Sequence, residues 1–325
     1  MQFRKLFIFA FVLQILLICA SPVSAREQVS ADQQPQVSIF TEKARLLLDS
    51  WRGQSSILEA AKKEIDAALA VNPSSPSTLK ELARYYIMDG YINNSNYEPG
   101  SLSNAEAALN KAIAADPGFA GSYILFGHLY FQMNRLQDAK AALSKADQIG
   151  SDDPWLQLNW ADVLIKEGKF GEAIERYNKV IDTGTTNRKA MLVAFSGMIN
   201  YYYALNKFDQ VDATYKKQIA YEPTSAWTYS NHANFLLCAM DKYDDAITQA
   251  RKALSLMDFG MGRFVLGSAL YRRWAHLSMF GEPGEATAAL KEARAVFPDI
   301  EAVVANVKNC SAMATVEQVL RTPPQ

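Results

Sequence analysis

The sequence predicts an all-α fold built from about seven consecutive helix pairs, and three observations predict it. The first is composition: 16 glycines and 12 prolines in 325 residues are few for a sandwich of short strands, and Ala and Leu are the commonest residues. The second is an internal repeat. Aligned on the alanine of GEAIERY (Ala173), the same kind of neighbourhood recurs at Ala61, Ala105, Ala139, Val211, Ala246 and Ala286, and the seven positions lie 44, 34, 34, 38, 35 and 40 residues apart. The third is apolar periodicity. Ala173, Ile174, Tyr177 and Ile181 form a stripe at intervals of three and four, as do Ala246, Ala250, Ala253 and Leu254. With 49% apolar and 21% charged residues, disorder is excluded as the main state.

At the N-terminus, Arg4 and Lys5 precede an apolar run from Leu6 to Ala20, and Val23-Ser24-Ala25 supplies small residues for a cleavage site. This is the layout of a secretory signal peptide over residues 1–25. The run is short for a bilayer span of about 20 residues; an uncleaved anchor is the alternative. Lipid anchoring at Cys19 is disfavoured by the bulky Ile18 before it. The expectation is export, to the periplasm or as a secreted protein, with a mature chain from about Arg26.

Residues 26–38 are polar with little periodicity and read as a flexible leader, residues 39–300 as the repeat array, and residues 301–325 as a C-terminal capping helix and tail. Inside the second pair, DGYINNSNYEPGS (Asp89–Ser101) is longer than an ordinary turn and reads as an exposed loop. KEGKFGEAIERY (Lys166–Tyr177) mixes Lys, Glu, Gly and Tyr as an acid–base site would, yet reads as a corner between two helices. Gly168 would take the positive φ that ends the first helix, Phe170 would pack into the corner, and Glu172 would sit in the first turn of the second. In the last pair the first helix runs on through LYRRWAHLSMF, and the tail from Ile300 to about Val319 reads as one or two helices over the open end of the stack.

First helices are clearest as YILFGHLY (Tyr123, Phe126, Gly127, Tyr130), LKELARYY (Leu82, Ala83, Tyr86) and FVLGSALY (Leu266, Gly267, Leu270), and Pro73, Pro117, Pro223 and Pro298 close units. With a period near 34, this pattern resembles the tetratricopeptide repeat superfamily over roughly residues 40–300. The first unit lacks a clear first-helix signature, the third and fourth lack the closing proline, and the sixth has Ala233-Asn234 where Leu-Gly is expected. The resemblance implies a right-handed superhelical solenoid whose first helices line a concave face that binds peptides or protein segments.

Chemistry is poorly represented. The three histidines, His128, His232 and His276, fall in three different units with no H-x-x-x-H or H-E-x-x-H spacing, so no metal site is expected. No G-x-S-x-G, P-loop, G-x-G-x-x-G or C-x-x-C occurs, and no catalytic residue or cofactor is expected. Without residues 1–25 the chain carries 31 basic and 34 acidic residues, a formal charge of −3. Nucleic acid is therefore a poor partner, and no basic amphipathic helix points to a lipid surface, so a membrane would be met only through a partner. Cys238 and Cys310 could pair in an oxidising compartment, but Cys238 lies in a strongly helical apolar segment and fits a buried thiol at least as well.

What remains is the groove that the resemblance implies. Its expected lining includes Lys80, Arg84, His128, Phe131, Trp155, Leu158, Asp162, Asn200, Tyr203, Asn231, Tyr271 and Arg272, with its positive end near the N-terminus. Aromatic anchors beside asparagine amides suit a peptide. The expected function is a protein-interaction scaffold in an envelope assembly or secretion complex. The alternative is a solute-binding repeat subunit associated with a transporter, marked by a deep cavity around Phe131, Trp155 and Tyr203.

Overall fold

The computed structural model describes residues 34–93, 96–306 and 310–321; the expected signal segment lies outside them. Fourteen helices follow one another as seven pairs: α1 (Gln34–Ser50) with α2 (Ser55–Val71), α3 (Pro76–Asp89) with α4 (Ser101–Ala115), α5 (Ala120–Gln132) with α6 (Leu136–Ile149), α7 (Pro154–Lys166) with α8 (Phe170–Thr183), α9 (Arg188–Ala204) with α10 (Phe208–Tyr221), α11 (Ala226–Met240) with α12 (Tyr243–Leu256), and α13 (Gly260–Phe280) with α14 (Pro283–Val296). Two further helices end the chain, α15 (Ile300–Val304) and α16 (Ser311–Arg321). α1 begins at Gln34, inside the stretch read as leader.

The helices group into two compact units, Met1–Leu156 and Gln157–Gln325. In both, the aligned small residues lie where paired helices touch. Ala61, Ala105, Ala139, Val211 and Ala246 are fully buried, Ala173 is 1% exposed and Ala286 8%. A methyl group at these points lets two helix backbones come close, and larger residues fill the remaining space. In the N-terminal unit Ala44, Leu48, Leu58, Ala61 and Ile65 close the first core, and Ile87, Leu109, Phe126 and Leu129 dominate the next. In the C-terminal unit one core runs from Val211 to Val316 through Phe235, Leu270 and Met313.

Pro73, Pro117, Pro223 and Pro298 each follow the end of a second helix by two residues, because proline lacks the N–H and forces its predecessor out of helical geometry. The third and fourth units stop differently: α6 and α8 end on Gly150 and Gly184, with φ of 83° and 63°. In these two units a left-handed glycine caps the helix in place of proline, whereas α12, also without a closing proline, ends on extended Met257.

The corner read from Gly168 is a repeated device. Gly168 has φ of 75°, and Asn134, Asn206 and Asp241 take φ of 57°, 56° and 53°; each lies five residues before the aligned position of its unit. Asn and Asp tolerate the left-handed region better than other side chains, so three corners form without glycine. Arg135, Lys169 and Lys207 then donate backbone N–H groups to the carbonyls of Tyr130, Leu164 and Tyr202 at 2.8–2.9 Å. Phe170 differs from expectation: it is 38% exposed and stacks on Tyr201 with ring centres 5.0 Å apart.

Two further segments differ from the reading above. The loop after α3 contains a short antiparallel ribbon, β1 (Tyr91–Asn93) with β2 (Asn96–Tyr97), closed by the edge-on rings of Tyr91 and Tyr97. Cys238 and Cys310 form a disulfide, with Cα atoms 4.3 Å apart. The helical, apolar setting of Cys238 gave no sign of this, because the partner arrives from a segment 72 residues later.

The close approach of α8 and α9 depends on Gly197. A Cβ there would lie 2.4 Å from the Tyr177 ring, and Tyr177 is only 4% exposed, so the ring has nowhere to move. Gly197→Ala is expected to lower unfolding stability by about 1–2 kcal/mol, because overpacking outweighs the roughly 1 kcal/mol that alanine gains as a helix former. An unchanged or raised urea midpoint would contradict this.

Candidate functional site

In the N-terminal unit the first helices α1, α3 and α5 lie side by side. Lys80 and Arg84 face inward on α3 and are held by ion pairs. Arg84 Nη1 reaches Glu81 Oε2 at 2.7 Å and Nη2 reaches Asp49 Oδ1 at 2.6 Å, while Lys80 Nζ lies 2.9 Å from Glu81 Oε1. Asp49 also meets Arg45, which pairs with Glu42. The expected positive end of the groove is thus a balanced network: Glu81, 1% exposed, draws both cations inward. His128 is partly buried on α5, and burial followed by the nearby Arg84 charge pushes its pKa down to about 4, so it is neutral at pH 7. Phe131 and Trp155 are half-buried.

The expected residues of the C-terminal unit divide. Asn200, Tyr203 and Asn231 are exposed, Tyr203 by 49% with its ring against Phe208 and Phe235. Asp162 is partly buried, and loss of solvent raises its pKa to about 6. Leu158 and Tyr271 are corrections: at 2% and 0% exposed they belong to the core, and the Tyr271 hydroxyl donates to the Phe297 carbonyl at 3.0 Å. Arg272 is a correction too, at 7% exposed. It donates to Asp241 at the preceding corner and lies over the Tyr243 ring, joining two units of the stack. His232 does not line a groove either. It is 1% exposed, stacks on Tyr215, and places Nε2 2.7 Å from Asp212 Oδ1.

A cleft of about 290 Å³ opens on the C-terminal unit. Its lining comes from α11 (Trp227, Ser230, Asn231, Asn234, Leu237, Cys238), from α13 (Met261, Phe264, Val265, Ser268), and from Asn306, Cys310 and Met313 near the chain end. Phe131, Trp155 and Tyr203 take no part in it. Two properties define its chemistry. Among the described residues none of the lining side chains is charged, so an ionic ligand would lose solvation without gaining a counter-charge from them. The hydroxyls of Ser230 and Ser268, on residues 0% and 4% exposed, find no hydrogen-bond partner among the described residues, a rare condition for buried polar groups. Trp227 and Met261 are more than half exposed at the rim. Sequence reasoning placed Asn231 here but missed Trp227, Ser230 and the disulfide wall. Ser268 and Phe264 fall within the sequence expectation for the groove, whereas Ser230 in its apolar helix looks like an ordinary core residue until the neighbouring helices show what its hydroxyl lacks.

A tetratricopeptide repeat family model matches residues 97–158. The C-terminal part of a tetratricopeptide repeat-containing protein from Cytophaga hutchinsonii superposes with a TM-score of 0.51 at 16% identity, over 82% of this chain and 99% of that one. The chain has the tetratricopeptide repeat fold. Pseudomonas aeruginosa PilF is similar at 16% identity and a TM-score of 0.49, over 71% of this chain and 96% of its own. A chain of the Cut9–Hcn1 assembly of the APC/C is similar at 15% identity and a TM-score of 0.47 over 73% of this chain, and this chain spans about half of that longer one (47%). A search of curated proteins gives no significant match. The cleft lies between the first helices α11 and α13 and the residues Asn306, Cys310 and Met313. Among the described residues no helix is long and apolar enough to cross a membrane, and no three His, Cys, Asp or Glu side chains gather as a metal site.

Proposed function

We propose that the protein is a non-catalytic interaction scaffold that binds an uncharged, apolar segment of another protein on the first-helix face of its C-terminal unit. One observation carries the reading: the cleft between α11 and α13 combines an uncharged lining, exposed Trp227 and Met261, and two buried hydroxyls without partners. An exposed aromatic beside a pocket is a common anchor of interfaces, and asparagine amides can hold a peptide backbone. We also propose that it works after export, at an envelope assembly or secretion complex. The layout of residues 1–25 supports export, and a disulfide is the form that Cys238 and Cys310 take in an oxidising compartment.

A photo-crosslinking residue placed at Trp227 tests the binding face in a native extract. Crosslinks to a defined partner that disappear on adding Asn231→Ala and Ser268→Ala are the expected result. Crosslinks that persist in that variant, or that arise equally from a site on α2, would remove the cleft as the binding site. A retained small neutral molecule in native mass spectrometry, without crosslinks, would favour the solute-binding reading, which the cleft's size also accommodates.

A further inference from the structure

The helix that closes the chain sits on the helices that form the cleft. α16 packs on α13 and α11, burying Ala312, Met313 and Val316 at 2%, 1% and 0% exposure, with Val319 one turn on half-buried. Its opposite face, Ser311, Ala314, Gln318 and Arg321, is exposed. It is an amphipathic helix lying in a groove, supplied by the chain itself. α15 also packs against it, and Val319 joins the C-terminal core. At 11 residues α16 is shorter than helices that persist alone in water. Besides its three buried side chains, the Ser311 hydroxyl donates to the Cys238 carbonyl at 3.0 Å, and the Cys238–Cys310 bond ties its start to α11.

α16 also leaves the site beneath its edge incomplete. Met313 and Cys310 form a wall of the cleft, yet the Ser230 and Ser268 hydroxyls stay unpartnered with α16 in place. In an 11-residue helix with three fully buried side chains, the Cys238–Cys310 bond is the one covalent tie to α11. We propose that the Cys238–Cys310 disulfide is a redox latch that keeps α16 on α11 and α13, and that its reduction opens this face to a partner's amphipathic helix with the same small and aliphatic pattern. The proposal rests on the scaffold reading for the partner, while the release of α16 stands apart from it.

The reductant is a dithiol. Its thiolate attacks Cys238 Sγ, the sulfur of the less buried residue, forming a mixed disulfide as the Cys238–Cys310 bond breaks. Cys310 leaves as a thiolate and takes a proton. The second thiol of the reductant then displaces Cys238 Sγ, which is protonated in turn. Two electrons and two protons pass from the dithiol, leaving two cysteine thiols and a cyclic disulfide.

Hydrogen exchange of the purified full chain, with and without dithiothreitol, tests the release. Amides of residues 311–321 are expected to exchange at least ten-fold faster after reduction, while α11, α13 and the N-terminal unit keep their protection. The Cys238→Ser, Cys310→Ser double variant should behave like the reduced protein without any reductant. Equal protection of residues 311–321 in both states would overturn the latch. So would loss of protection throughout α11–α14, which would make the bond a staple of the whole unit. A fluorescent peptide with the sequence of residues 311–321 tests the face: it should bind the reduced chain and not the oxidised one, and a peptide carrying Met313→Asp and Val316→Asp should bind neither. Binding to both states, or to neither, sinks the helix-docking part. Failure of the Trp227 crosslinks with normal release of α16 would instead count against the scaffold reading alone.

Discussion

Arg84→Ala is expected to destabilise the N-terminal unit by about 3 kcal/mol. Arg84 bridges Glu81, which is almost completely buried, and Asp49 on the neighbouring first helix, with both contacts near 2.6–2.7 Å. Removing it leaves a buried carboxylate with Lys80 as its remaining cation, and breaking one side of such a pair costs far more than the pair contributes, typically about 3–5 kcal/mol when the group left behind is fully buried. Lys80 keeps the expected value at the lower end. The Arg84→Met, Glu81→Leu double variant should recover most of the loss, because it removes both partners and leaves no orphaned charge. Chemical denaturation of the four members of this cycle gives the comparison. A single variant within about 0.5 kcal/mol of the parent would show that the network is solvated and does not hold α3 against α1.

Asp162 is expected to make stability fall as pH rises from about 4 to about 6. Its carboxyl, partly buried on α7, titrates at about 6 in the folded chain against 3.8 in the unfolded one, because burial disfavours the charged form. Between those values the folded state binds more protons, so stability is lost as pH climbs through the folded pKa and stays lost above it. A difference of about two pH units corresponds to at most about 3 kcal/mol. Asp162→Asn should therefore match the parent near pH 3.5 and unfold at a higher temperature at pH 8. Equal melting temperatures at pH 8, or a gain of the same size at both pH values, would rule out titration of Asp162 as the cause. If Asp162 also contacts a partner, the same variant will weaken binding at pH 8 while stabilising the free protein, which separates the two roles.

Helix pairing was readable because it depends on short-range chemistry. Ala61, Ala105 and Ala246 are small for the same reason, and their spacing survives in the sequence as a period near 34. The corners were only partly readable: Gly168 announces a positive φ, whereas Asn134, Asn206 and Asp241 reach the same region with side chains that look like ordinary surface residues. The site was less readable still. Whether a first-helix residue faces the binding surface or the adjoining helix depends on how each helix is rotated, and a turn of 100° per residue separates Asn231, which is exposed, from His232, which is buried against Tyr215 and Asp212. Tyr271 and Arg272 went to the core side by the same rotation.

The sequence alone determined the all-α class, the seven helix pairs, the helix ends at Pro73, Pro117, Pro223 and Pro298, and the long α13, all of them consequences of contacts within about 35 residues. Tertiary structure decided what distant segments do to one another. It set Glu81 between Lys80 and Arg84 so that neither cation is free, brought Cys310 back across 72 residues to Cys238, and laid α16 beside two serine hydroxyls that no described residue satisfies. Periodicity records which face of a helix is apolar; it does not record which segment will arrive to cover that face.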